Sequence, residues 1–216
     1  QDEMNALLNG PSDPDRASTA GKTGADAAGR KLSVYDFRRP DRVSKQVLQS
    51  LQTVHEAFCT NASASLSVYF RTPTEITMVS LDQTIFSEFI QSLADPTCLA
   101  AISMRPLSGT AVLEMSLDLA LPLMDRLLGG AGQATESSRK MTEIEKNVIQ
   151  GVHKLILTEL AEAWKPLAEV SFHIQSSETR PQMLQVAPPN DLVLVPTFDM
   201  KLGETRGQLQ LCIPYS

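Results

Sequence analysis

Thr142-Glu143-Ile144-Glu145-Lys146-Asn147-Val148-Ile149-Gln150-Gly151-Val152-His153-Lys154-Leu155-Ile156-Leu157-Thr158-Glu159-Leu160 is the stretch from which the fold is read. Thr142 and Glu145 make a T-x-x-E capping box, in which each side chain satisfies an orphan amide at the start of a helix. Ile144, Val148, Ile149, Val152, Leu155, Ile156 and Leu160 then recur at steps of three and four as far as Trp164. That period predicts one long amphipathic helix with a single face to bury. The chain beyond Trp164 supplies the surface to bury it against: a strand over Val170 to Ile174, a shorter segment near Pro181 to Val186, and two strands around a turn at Gly203-Glu204. Leu209, Leu211 and Ile213 alternate with Gln208, Gln210 and Cys212, the period-two pattern of a half-buried strand.

The same order of elements is legible earlier in the chain. Pro40-Asp41 reads as a stop and a cap, and Val47, Leu51, Val54 and Phe58 mark one face of a helix over residues 42 to 61. After it come a strand over Leu66 to Phe70, an apolar run from Glu75 to Leu81, a short helix over Gln83 to Leu93, and two strands around Arg105 to Gly109. Matched elements lie about one hundred residues apart, which predicts two α/β halves related by an internal pseudo-two-fold, with long helices packed on a mixed sheet. A helix over residues 117 to 128 joins the halves and ends at Gly129-Gly130-Ala131-Gly132.

Ahead of the folded part, which starts near residue 32, the composition changes. Met4, Leu7 and Leu8 stand at helical spacing in residues 1 to 9, and residues 10 to 31 are dominated by Gly, Ala, Ser, Thr, Asp and Pro. A segment of that composition builds no core, so it reads as a flexible tether carrying a short apolar stripe. The net charge of −6, with scattered basic residues, excludes a nucleic-acid surface. No apolar run is long enough to span a bilayer and the start, Gln1-Asp2-Glu3, lacks the basic opening of a signal peptide, so a cytosolic location is expected.

Catalytic patterns are missing from the sequence. No G-x-S-x-G elbow occurs, and Cys59, Cys98 and Cys212 form neither a CxxC pair nor a disulfide framework. His55 and Cys59 sit one helical turn apart without further ligands, so no metal, cofactor or catalytic residue is expected. Gly21-Lys22-Thr23 imitates the end of a phosphate loop, but Arg16 stands where that motif needs glycine. The Gly129 to Gly132 run has two readings that stay open together. Glycine ends a helix by taking the left-handed conformation, and a run poor in side chains also lets another backbone approach closely.

Four segments together resemble the bacterial flagellar motor switch FliM family: Gln1-Asp2-Glu3-Met4-Asn5-Ala6-Leu7-Leu8, Tyr35-Asp36-Phe37-Arg38-Arg39-Pro40-Asp41-Arg42, Leu127-Leu128-Gly129-Gly130-Ala131-Gly132 and Cys212-Ile213-Pro214-Tyr215. The resemblance implies a middle domain over residues 32 to 216, with the pseudo-symmetric fold shared with the CheC and CheX phosphatases. It implies a protein of the cytoplasmic ring at the flagellar basal body, peripheral to the inner membrane, beside neighbouring FliM subunits. Carried over by residue, Asp2, Glu3, Met4, Ala6, Leu7 and Leu8 would capture phosphorylated CheY. Gly129, Gly130 and Gly132 would contact the rotor protein FliG, with Asp125 and Arg126 just before them as further candidates. The family continues into a FliN-like C-terminal domain, through which FliN would bind, and that domain is expected to be absent from this chain. Met4 and Asn5 stand where many members have isoleucine and aspartate, which keeps the apolar anchor and removes a charge. The competing reading is a CheC-like phosphatase, which needs a glutamate and an asparagine separated by two residues. Glu143 with Asn147 and Glu56 with Asn61 are the nearest pairs, and neither has that spacing.

Overall fold

The computed structural model describes residues 43–132 and 139–215. The apolar stripe of residues 1 to 9, the tether of residues 10 to 31 and the start of the expected middle domain, residues 32 to 42, lie outside the described residues.

Elements run in the order α1 (Lys45–Phe70), β1 (Thr74–Ile85), α2 (Phe86–Ser92), β2 (Cys98–Arg105), β3 (Thr110–Met115), α3 (Leu117–Leu127), α4 (Glu143–Trp164), β4 (Ser171–Glu178), a 3-10 turn (Pro181–Met183), β5 (Leu192–Leu202) and β6 (Thr205–Pro214). The strands form one six-stranded sheet ordered β1-β5-β6-β3-β2-β4. Replacing every strand by its counterpart in the other half, β1 by β4, β2 by β5 and β3 by β6, returns the same order reversed. The pseudo-two-fold axis therefore runs between β6 and β3. Each half also lends its first strand to the other: β1 flanks the β5-β6 hairpin and β4 flanks the β2-β3 hairpin. Neither half has a complete sheet alone, so the two make one folding unit. The expected α/β architecture stands, with one change: every pairing is antiparallel, so the sheet is not mixed.

α1 and α4 lie antiparallel on one face. The His55 and Trp164 rings meet edge-on with centroids 6.0 Å apart, and Ser65 donates to Glu159 over 2.6 Å near the other end of α1. The capping box of α4 forms as the sequence requires, with Thr142 accepting from the Glu145 amide and Glu145 from the Thr142 amide. Arg139 adds an ion pair to Glu145 at 2.5 Å, which holds that carboxyl down to about 2. α3 packs on the same face, and its backbone approaches β6 so closely that a Cβ on Gly207 would strike Leu119. On the opposite face α2 and the 3-10 turn, themselves pseudo-symmetric counterparts, cover a smaller core built on Phe86, Phe89, Leu184, Val193 and Val195.

The strand expected over Leu66 to Phe70 is absent, because α1 runs on to Phe70 where an end near residue 61 was expected. Leu66 is fully buried one turn beyond Ala62 on the stripe that α1 turns to the core. Burial of that continuous face overrides the strand preference of a Leu-Ser-Val-Tyr-Phe run. Arg71, in the left-handed conformation at φ 51°, ends the helix. The first strand of this half comes after it, over Thr74–Ile85, where the Glu75 to Leu81 run had been placed.

Candidate functional site: the glycine turn after α3

Gly129, Gly130, Gly132, Asp125 and Arg126 are brought together in one turn. The Gly130 amide donates to the Asp125 carbonyl at 2.8 Å and the Gly129 amide to the Arg126 carbonyl at 3.1 Å. These are the two bonds of a Schellman motif, with Gly129 at φ +91° in the left-handed position that favours glycine. Gly132, at φ +71°, lies in that region too, whereas Gly130 does not, and both are crowded by side chains. A Cβ on Gly130 would fall onto the Asp125 carboxylate, and one on Gly132 would fall onto the Arg126 side chain. That carboxylate is held there because Asp125 Oδ2 accepts the Gly132 amide at 2.8 Å. Three glycines in four residues thus result from two left-handed positions and two side chains folded beneath the turn.

What the turn presents outward is backbone and the apolar side chains of Leu128 and Ala131. Gly129, Gly130 and Ala131 are exposed, and Leu128, which ends the helix, is 68% exposed. Its underside is tied to both halves of the fold. Arg126 Nη1 donates to Thr72 Oγ1 in the α1–β1 connection at 3.3 Å, while the Thr205 hydroxyl at the start of β6 donates to the Gly132 carbonyl at 3.3 Å. The Gly203 amide, in the β5–β6 turn, donates to the Pro73 carbonyl at 3.1 Å, so the two supporting connections are also bonded to each other. Thr72 and Thr205 carry no sequence signal. They lie far from the turn in the chain and are joined to it only by the sheet.

The buried thiols and imidazoles show a pair that the sequence does not. Cys98 Sγ lies 3.9 Å from His153 Nε2, the residue types of a nucleophilic dyad. The electrostatics run the wrong way for one. Burial pushes the thiol up to about 12 and the imidazole down to about 4, whereas a dyad needs thiolate and imidazolium. His55 is also buried and held down to about 4. Cys59 and Cys212 are pushed up to about 11 and about 12 by burial. Among the described residues no group of three metal-ligating side chains occurs, and no helix is long and apolar enough to cross a membrane. Of the candidate phosphatase carboxylates, Glu143 is ion-paired to Lys146 at 2.6 Å and Glu56 accepts from Gln52 at 3.0 Å. The six candidate residues between Asp2 and Leu8 lie outside the described residues.

Fold and site together define a class: a pseudo-symmetric α/β module that offers a hydrogen-bonded, backbone-rich turn on its surface. The family model for "Flagellar motor switch protein FliM" matches residues 44–216. Flagellar motor switch proteins FliM of Treponema pallidum and Bacillus subtilis are 38% and 32% identical to this chain over 215 residues, 100% of it in both cases. The chain spans 62% and 64% of those relatives. In a crystal structure of a FliG-FliM complex from H. pylori, the matching chain is 33% identical with a TM-score of 0.77 over 80% of this chain and 94% of that one. Thermotoga maritima FliY, at 15% identity and a TM-score of 0.70, shares the fold. This chain belongs to the FliM family of flagellar motor switch proteins.

Proposed function

We propose that this chain is part of a flagellar motor switch, in which the glycine turn docks the rotor protein FliG and residues 1 to 9 capture phosphorylated CheY. The observation that carries the first part is the turn itself. It is exposed, poor in side chains, and tied down by the Asp125 and Arg126 side chains, so a partner's backbone can approach at a reduced ordering cost. The 33% identity to a FliM crystallised with FliG supports FliG as that partner. In this reading the module works in the cytoplasmic ring at the basal body, peripheral to the inner membrane, beside neighbouring FliM subunits and with FliN bound through a further C-terminal domain. It binds and transmits, and catalyses nothing.

Leu128→Lys and Ala131→Lys test the turn, since both side chains are exposed and support no packing. Each is expected to abolish capture of purified FliG from the same bacterium while the melting temperature holds. Undiminished capture by both variants refutes the docking role.

The CheY part rests on the stripe of Met4, Leu7 and Leu8. Burying them contributes on the order of 1.5 to 3 kcal/mol each, offset by about 2 to 5 kcal/mol for ordering the peptide. The small surplus suits a sensor, because a modest gain on phosphorylation then shifts occupancy over a useful range. A peptide of residues 1 to 16 is expected to bind phosphorylated CheY more tightly than CheY, and equal affinity for the two excludes the role.

A further inference from the structure

Arg126 reaches from the underside of the glycine turn to Thr72, in the connection that opens the first half's sheet. Thr205, at the opening of the second half's last strand, holds the Gly132 carbonyl. The turn belongs to the segment that links the two halves, so a loop already fixed by its own helix cap has one further tie to each half. Those ties are not needed to end α3, because the Schellman bonds and the Asp125 carboxylate do that within the segment itself. They are also few and long. Each is a single hydroxyl bond at 3.3 Å, and the Nε of Arg126 is buried with no partner, so the guanidinium is held by less than it can make. A brace of that kind fixes orientation at small energetic cost and gives way before the core does.

We propose that Thr72 and Thr205 are positioning residues, which orient the glycine turn through Arg126 and the Gly132 carbonyl and so set partner affinity there. This rests on the turn being the FliG-docking surface. The α1–β1 connection and the β5–β6 turn move together because Gly203 is bonded to Pro73. The turn is therefore held against one corner of the sheet, where the starts of β1 and β6 meet the end of β5, through two side chains at once.

The experiment uses the full chain with Thr72→Val and Thr205→Val, singly and together, which remove each hydroxyl and keep the shape. Three quantities are measured: amide hydrogen exchange at Gly129 to Gly132, affinity for purified FliG, and melting temperature. In the double variant, exchange at the turn is expected to rise and FliG affinity to fall by roughly three- to tenfold, the worth of one or two ordinary hydrogen bonds. The melting temperature is expected to hold, and Thr205→Ser, which restores a hydroxyl, is expected to recover both exchange and affinity. Unchanged exchange at the turn overturns the proposal. Raised exchange with unchanged FliG affinity also overturns it. In that case Leu128→Lys, measured alongside, shows whether the docking surface itself stands or falls.

Discussion

The Asp125 carboxylate accepts the Gly132 amide at 2.8 Å, and in doing so occupies the space that a side chain on Gly130 would need. One side chain thereby bonds the backbone at Gly132 and excludes a Cβ at Gly130. Gly130 is not in the positive-φ region, so alanine there is opposed by this contact and not by backbone conformation.

The two positions are therefore expected to be coupled. Gly130→Ala should destabilise the native protein by about 1 to 3 kcal/mol, the usual range for overpacking. Asp125→Ala should cost about 1 kcal/mol through the lost bond to Gly132. In the Asp125→Ala background Gly130→Ala should cost almost nothing, because the obstructing carboxylate is gone. Urea unfolding of the four proteins measures the cycle, and additive losses would show that the carboxylate does not set the glycine.

Among the described residues, three buried groups tie stability to pH between 4.5 and 6.5. His55 and His153 are each held down from 6.5 to about 4 by burial, so between those values the unfolded chain binds more protons and stability rises with pH. Glu114 is pushed up from 4.5 to about 7 by burial, the Thr97 hydroxyl opposing this only in part, so its contribution falls as pH rises through the same window. Between pH 4.5 and 6.5 two histidines less one carboxylate leave one proton, a slope of about 1.4 kcal/mol per pH unit. Glu145, held near 2 by Arg139, enters only below 4.5. Glu114→Gln should steepen the rise, and should raise stability at pH 8 by roughly 1 to 3 kcal/mol while changing little at pH 4.5. Denaturant midpoints across this range check it, and an unaltered slope in Glu114→Gln excludes the carboxylate as a titrating group.

The capping box offers a local test. Thr142→Ala should cost about 1 kcal/mol, and Glu145→Ala should cost as much or more because it removes the Arg139 ion pair with the amide bond. Chemical denaturation of both variants measures this. Equal stability to the parent protein would mean that the N-terminus of α4 is not held by these bonds.

These elements differ in how far they could be read from residues. α4 was legible because cap, period and length agree within one segment, and the β5-β6 hairpin because Gly203-Glu204 separates two alternating runs. The end of α1 was not, since Leu66 to Phe70 has strand composition and only packing against α4 decides for helix. The pseudo-symmetry was visible as a repeated order, but the exchange of β1 and β4 between halves is a property of sheet closure, which no local pattern encodes. At the turn, Asp125, Arg126 and the glycines were legible from adjacency. Thr72 and Thr205 were not, because they are neighbours of Gly132 only after both sheet halves have formed.

Gly129 gives the sharpest test of what ends α3. At φ +91° its conformation is available to glycine, reached by asparagine at some cost, and reached by β-branched residues only with strain. No heavy atom lies within 4 Å of a Cβ built there, so packing cannot account for any loss. Destabilisation should therefore rank Gly129→Asn below Gly129→Ala, and Gly129→Ala below Gly129→Val. The alanine variant should lose on the order of 1 kcal/mol. Because the site is open to solvent, side-chain size by itself should not matter: Gly129→Lys should resemble Gly129→Ala. If the loss instead scaled with volume, the Schellman backbone would not be the constraint.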